Sequence, residues 1–206
     1  MTSECHCILI VHSSSSHSGK TAICRSLVHD LPFDVYIKLS RHSSHLVTRS
    51  LAAGTLPAGA GDTGRLHQSI RSPLLPPLSD ILLLDGPRSE TDEAVLSAID
   101  TWPPETRFLI EGYCTPLPNR SVTMYVLRCP LSPEMKPDTG IMAARADLVV
   151  INRFPACTPP EEAALLALLR DWNPHVNQVS GSAEDSAFIE TVEASVLSLL
   201  PVLRHA

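Results

Sequence analysis

Short apolar runs alternate along this chain with segments whose apolar residues recur every three or four positions. Runs at 7–11, 35–39, 81–84, 108–110, 122–127 and 148–151 predict strands, with a weaker one at 176–179. Ile81-Leu82-Leu83-Leu84 lacks the polar alternation of a half-exposed strand and suits one buried on both faces. Between the runs, Ile23, Leu27 and Leu31 share one helical face, as do Ala94, Val95, Ala98, Ile99 and Trp102. Phe188, Ile189, Val192, Val196 and Leu199 form a further stripe. This alternation predicts an α/β fold of three layers, a mostly parallel central sheet with helices on both faces, in one domain spanning 1–206.

The helices carry start signals. Ser89-x-x-Asp92 precedes the second stripe, and Thr158-Pro159-Pro160-Glu161 combines a capping box with proline at the first helical position. Ser182-x-x-Asp185 opens the last helix, and 140–145 has helical character. Two stretches break the rhythm. Residues 40–62 hold Gly54, Gly59 and Gly61 and few large apolar side chains, and 71–77 is rich in proline. The first is predicted to be a long flexible loop, because loops of that length in compact domains carry function or lack order.

With 206 residues, 44% hydrophobic and 18% charged, the chain is long enough for a full core and too apolar for disorder. Its net charge of −6, without runs of Lys or Arg, argues against nucleic-acid binding. No apolar stretch approaches the roughly 20 residues of a membrane span. The polar start Met1-Thr2-Ser3-Glu4-Cys5-His6 does not read as a secretory signal. A cytoplasmic location is expected, with the six scattered cysteines reduced. Cys5-His6-Cys7 could contribute to a metal site, but Cys7 opens the first strand and is expected to be a small core residue.

The densest chemistry lies where the first strand gives way to the first helix. Residues 14–21 read Ser14-Ser15-Ser16-His17-Ser18-Gly19-Lys20-Thr21, the G-x-x-x-x-G-K-[ST] phosphate loop with serine in place of the first glycine. Successive backbone N–H groups there, together with a helix N-terminus, favour an anion. Gly19 would let the backbone approach the phosphates, Lys20 would reach the outer ones, and the Thr21 hydroxyl would bind Mg²⁺. Such a cation also needs a carboxylate. Asp85 and Glu111 both end buried runs, at the strand ends where ligands of open α/β sheets bind, and the residues alone leave both open.

With these motifs in order, the chain resembles the adapter family of molybdopterin-guanine dinucleotide biosynthesis. More broadly it is similar to the metal-cofactor maturation P-loop NTPases, including the nickel-insertion GTPases of urease and hydrogenase and, further off, dethiobiotin synthetase. Beyond the phosphate loop the resemblance rests on four segments. Tyr36-Ile37-Lys38 is followed by His42 and His45, and Asp62-Thr63-Gly64-Arg65 is similar to an acidic-hydroxyl-x-Arg segment. Glu111-Gly112 resembles the strand end whose carboxylate faces Mg²⁺, which favours Glu111 over Asp85. Ala146 to Arg153 resembles the strand leading into the base-recognition Asn-Lys-x-Asp, here Asn152-Arg153-Phe154-Pro155. Arg153 replaces the Lys and Pro155 the Asp that would accept from guanine, and Ser15 stands where related ATPases carry a second Lys. GTP and ATP therefore both remain open.

The resemblance implies an Mg²⁺-dependent NTPase of GTP or ATP that assists metal-cofactor assembly, molybdenum cofactor in particular. Lys20 and Glu111 would act in catalysis; residues 14–21 with Asn152 and Arg153 would bind nucleotide; Thr21, Glu111, Asp85 and Asp62 are the metal candidates. A cofactor-biosynthesis or metalloenzyme protein would be the partner, and Lys136-Pro137-Asp138 hints at a homodimer interface. Two alternatives keep the fold: a regulatory or scaffold protein without hydrolysis, and a small-molecule kinase or ligase of the dethiobiotin synthetase type. The 40–62 loop is expected to order on the outer phosphate through Arg41, His42 or His45, with Asp62 reaching the metal through water. The His42/His45 pair, as a site for a transition metal or a second phosphate group, and a merely polar loop remain equal readings.

Overall fold

The computed structural model describes residues 7–50, 78, 80–115, 117 and 121–200. Asp62, the Thr63–Arg65 segment, Cys5 and His6 lie outside them.

Among the described residues the strands are β1 (Cys7–Ser13), β2 (Val35–Ser40), β3 (Val47–Ser50), β4 (Asp80–Asp85), β5 (Arg107–Glu111), β6 (Ser121–Cys129), β7 (Leu148–Arg153) and β8 (Asn177–Gly181). The helices are α1 (Lys20–Asp30), α2 (Arg88–Asp100), α3 (Thr139–Ala144), α4 (Pro159–Trp172) and α5 (Ser186–Leu199). They build one sheet in the order β3-β4-β2-β5-β1-β6-β7-β8, parallel throughout except for β3 against β4. The α/β architecture expected from the pattern is what the chain adopts.

β1 is central, and all seven of its residues are buried. Alternate side chains feed two cores, which is why the run shows no polar alternation. Leu9 and Val11 join Ile23 and Leu27 of α1 and Val192 and Val196 of α5. Ile8 and Ile10 face the other way, onto Val95 and Ile99 of α2. Beside them Tyr125 and Leu127 of β6 pack on Met142 of α3 and on Leu165 and Leu169 of α4.

Several local expectations need correction. Residues 47–50, read as part of a loop, form the antiparallel edge strand β3, with Val47 opposite Asp85 and Ser50 opposite Leu82. Its largely exposed Val-Thr-Arg-Ser carries no apolar alternation, so β4 rather than side-chain pattern dictates it. α2 begins at Arg88 behind Pro87, with Ser89 already inside the helix. Asp185 caps α5 by accepting from the Ala187 N–H at 3.0 Å; Ser182 instead closes the preceding turn, its hydroxyl accepting from Glu184 N–H at 3.3 Å. The Thr158/Glu161 box is present, the Thr158 N–H donating to the Glu161 carboxylate at 2.8 Å.

The cysteines are not all reduced: Cys129 and Cys157 form a disulfide with Cα atoms 5.4 Å apart. Neighbouring strand ends bring them together, the Phe154 N–H donating to the Cys129 carbonyl at 2.9 Å, a proximity that 28 residues of separation conceal. Cys7, Cys24 and Cys114 are buried free thiols. No helix among the described residues is long and apolar enough to cross a membrane.

Candidate nucleotide site

The turn after β1 is held from several sides. The Ser14 N–H donates to the Val126 carbonyl at 3.0 Å, the Ser14 carbonyl accepts from Lys136 N–H at 2.8 Å, and its hydroxyl accepts from Arg128 N–H at 3.3 Å. Ser14 has no positive φ and is buried, so the glycine usual at this position is not needed here. Positive φ falls instead at His17 (59°) and Gly19 (84°), the conformations that turn successive N–H groups inward.

Gly19 precedes α1, and a Cβ there would lie 2.1 Å from Nδ2 of Asn152. Asn152 is buried and fully engaged. Its Nδ2 donates to the Ser18 carbonyl at 3.0 Å, and its Oδ1 accepts from the Ala183 N–H at 2.9 Å. It therefore clamps the phosphate loop to the turn after β8. Arg153 points elsewhere, 3.4 Å from Glu162 of α4, and does not line the cleft over the loop. Phe154 does, with the Arg128 guanidinium 4.3 Å from its ring centroid.

That cleft has a volume of about 1080 Å³ and opens at the carboxyl ends of β1, β2 and β5. Glu111, the last residue of β5, is 1% exposed and sits at its base. Its Oε1 accepts from Lys20 Nζ at 2.5 Å and from Thr21 Oγ1 at 2.6 Å, and Lys38 Nζ lies 3.8 Å away. Its Oε2 accepts from the Tyr36 hydroxyl. Burial by itself raises this carboxyl, but the charges of Lys20 and Lys38 and the hydrogen bonds from Lys20 and Thr21 outweigh it and hold it at about 2. Gly112 follows with φ 129°, where a Cβ would meet Leu39 at 2.7 Å.

Asp85 goes to a different task. It accepts from the His42 N–H at 2.7 Å and the Ser43 hydroxyl at 2.8 Å, fastening the segment after β2, and does not line the cleft. Slight burial raises the carboxyl, but these donors and the Ser40 hydroxyl win and hold it at about 2. Ser15, Ser16, His17, Ser18, Gly19, Lys20 and Thr21 all line the cleft. The Ser15 and Ser18 hydroxyls are buried there without a hydrogen-bond partner among the described residues. His42 lines it as well, but no group of three or more His, Cys, Asp or Glu among the described residues could hold a metal.

Three participants were weighed lightly or missed in the sequence. Lys38, which its strand-end position alone marks either as a phosphate counter-charge or as a solvated residue, pairs with Glu111. Lys136, read as an interface hint, donates from Nζ to the Ser13 carbonyl at 2.9 Å. Tyr36 looks like any core aromatic in its strand, and only β5 beside it shows that its hydroxyl meets Glu111. No local pattern marks the last two.

The oxygen donors fit a hard divalent cation. Thr21 and Glu111 bring a hydroxyl and a carboxylate into contact, and Lys20, now on the same carboxylate, would move to a phosphate when a cation takes its place. The Ser15 and Ser18 hydroxyls, without a partner among the described residues, and the adjoining start of α1 suit an anion.

No protein-family model and no curated protein matches the chain by sequence. Solved structures match its fold. HypB from Helicobacter pylori in complex with nickel superposes with a TM-score of 0.61 at 14% identity, covering 96% of this chain and 88% of that one. Hydrogenase maturation factor HypB from Archaeoglobus fulgidus gives 0.60 at 12% identity, with coverages of 95% and 90%. The chain thus has the fold of these proteins over nearly its whole length.

Proposed function

We propose that this protein is a P-loop nucleoside triphosphatase that binds GTP or ATP with Mg²⁺ and uses the cycle in metal-centre maturation. The observation that carries the reading is the meeting of Lys20, Thr21 and Glu111 at the mouth of a loop whose Ser15 and Ser18 hydroxyls await partners. Lys20 would hold the outer phosphates, residues 15–19 would wrap them with N–H groups, and Thr21 with Glu111 would hold the cation. Mg²⁺ would supply charge neutralisation on the phosphates when bound. Asn152 would act as a positioning residue by fixing the Ser18 carbonyl.

The fold shared with two hydrogenase maturation factors supports a role in metal delivery, as does the sequence resemblance to molybdenum-cofactor adapters. On this reading the protein is cytoplasmic and works with a metalloenzyme or cofactor-biosynthesis partner. Calorimetric titration with GTP, ATP and their diphosphates in Mg²⁺, coupled to phosphate release, tests it. Binding with turnover, both lost in Lys20→Ala, is the expected result. Absence of binding at millimolar nucleotide would leave the scaffold alternative.

A further inference from the structure

Three lysines of the cleft are tied to the phosphate loop or to Glu111. Lys20 and Lys38 lie 2.5 and 3.8 Å from Glu111, and Lys136 reaches the Ser13 carbonyl at 2.9 Å. Of the three arginines that line the same cleft, Arg25, Arg41 and Arg88, the last two share one support. Arg41, just after β2, and Arg88, which opens α2, both lean on the Tyr113 ring, with guanidinium carbons 4.8 and 4.1 Å from its centroid. They are therefore within about 9 Å of each other, close to the Debye length of roughly 8 Å at physiological salt.

Their countercharge is thin. Arg88 approaches Asp92 only to 3.7 Å, and that carboxylate also accepts from the Thr115 hydroxyl at 2.6 Å and from the Thr115 N–H at 3.3 Å. Arg41 has no carboxylate within ion-pair distance among the described residues. Neighbouring groups register the surplus. Burial, then Lys136, Lys20 and Arg88, push His12 down to about 3. Burial, then Lys20 and, more weakly, Arg41 also lower Lys136, against the pull of Asp138. Two guanidinium groups gathered on one ring with so little opposing charge make a local positive field that favours an anion within reach of both. Packing on Tyr113 holds both guanidinium groups; Arg88 also donates from Nη2 to the Thr115 hydroxyl at 3.4 Å, and the remaining N–H groups of the two arginines suit phosphate oxygens.

A triphosphate on the loop is served by the three lysines and the start of α1. We propose that Arg41 and Arg88, braced on Tyr113, form a second phosphate subsite beside the nucleotide's outer phosphate. It would take a phosphate group that does not belong to the nucleotide, and its placement rests on the nucleotide reading of the cleft.

The test uses the full chain saturated with Mg²⁺ and a non-hydrolysable triphosphate, titrated with inorganic phosphate and, in a parallel arm, glycerol 3-phosphate. At least one should bind saturably, at least tenfold more weakly in the Arg41→Gln/Arg88→Gln double variant, with nucleotide affinity changed less than threefold. Tighter binding of the ester identifies a phosphorylated small molecule as the occupant; equal binding identifies free phosphate. Arg41→Lys and Arg88→Lys, which keep the charge without the fork, should give intermediate losses at an unchanged thermal midpoint. Phosphate that binds only when the triphosphate is absent overturns the proposal, as does phosphate binding indifferent to the double variant. A loss confined to triphosphate affinity also overturns it, because the arginines would then serve the nucleotide. If the wild type binds no nucleotide, the same titration is run on the free protein. Arginine-dependent phosphate binding would then uphold the subsite while the nucleotide reading falls.

Discussion

Asn152 occupies the space that any side chain at position 19 would need: a Cβ on Gly19 would lie 2.1 Å from its Nδ2. The same amide donates to the Ser18 carbonyl and accepts from Ala183, so one side chain shapes the phosphate loop and anchors it across the sheet. Gly19→Ala should therefore fail twice, through the clash and through its φ of 84°. We expect a stability loss of about 1–3 kcal/mol and at least tenfold weaker nucleotide binding. Asn152→Ala leaves the Ser18 carbonyl and the Ala183 N–H unpaired and should also cost about 1–3 kcal/mol. Because the second change removes the atom the first collides with, the double variant should be less destabilised than the sum. Denaturant melts of the four proteins decide this; strict additivity would show that the two positions are independent.

Glu111 makes stability depend on acid. Its carboxyl is held at about 2, well below the ordinary glutamate value of 4.5. A carboxyl depressed on folding stabilises the native state above its unfolded pKa and loses that contribution as pH falls through its folded pKa. Stability should thus decline between about pH 5 and pH 2, with roughly 3 kcal/mol from this group. Urea midpoints measured across that range should show a shallower decline in Glu111→Gln. Parallel curves for the two proteins would mean that Lys20 and Thr21 do not hold the carboxylate as described.

Base selectivity should be weak. Guanine is read by a carboxylate accepting from N1 and N2, and the position that would supply it is Pro155. The residue facing the cleft is Phe154, whose ring offers a face to either purine. Dissociation constants for GTP and ATP should agree within about tenfold, or about 1.4 kcal/mol. Pro155→Asp should move the ratio towards GTP. A wild-type preference of a thousandfold for either nucleotide would point to a base contact made elsewhere.

The Cys129–Cys157 bond should matter to stability but not to the phosphate loop. Cys157→Ser is expected to lower unfolding free energy by about 2–4 kcal/mol, and reductant should do the same to the wild type. Because Cys7, Cys24 and Cys114 are free, reductant should have no further effect on the variant. Non-reducing peptide mapping should recover a single cross-link joining the end of β6 to the turn before α4.

Much of this protein could be read from the chain because its signals are local. Six strand runs were visible since cover on both faces of the sheet leaves largely apolar segments, whereas the run at 176–179 was weak because β8 buries only Val179 and Gly181, and the Thr158 capping box lies within four residues. Gly19-Lys20-Thr21 stood out because strand, turn and helix start are consecutive. The edge strand β3 was not visible: four residues, three of them exposed, are held by pairing with β4, and pairing of that kind leaves no trace in their side chains.

The sequence by itself determined the α/β layering and the place of the turn between β1 and α1, because hydrophobic periodicity and turn chemistry act between near neighbours. Only the tertiary structure decided which carboxylate the loop meets. Asp85 and Glu111 end similar runs, but β5 lies beside β1 and Glu111 accepts from Thr21, whereas β2 and β5 separate β4 from β1 and Asp85 is spent on residues 42 and 43. It alone also set Tyr36 and Lys38 against Glu111, Lys136 against Ser13, and Arg41 and Arg88 on one ring. Strand order and crossover bring those residues together from distant parts of the chain, and contact energies between them depend on distances that sequence spacing does not encode.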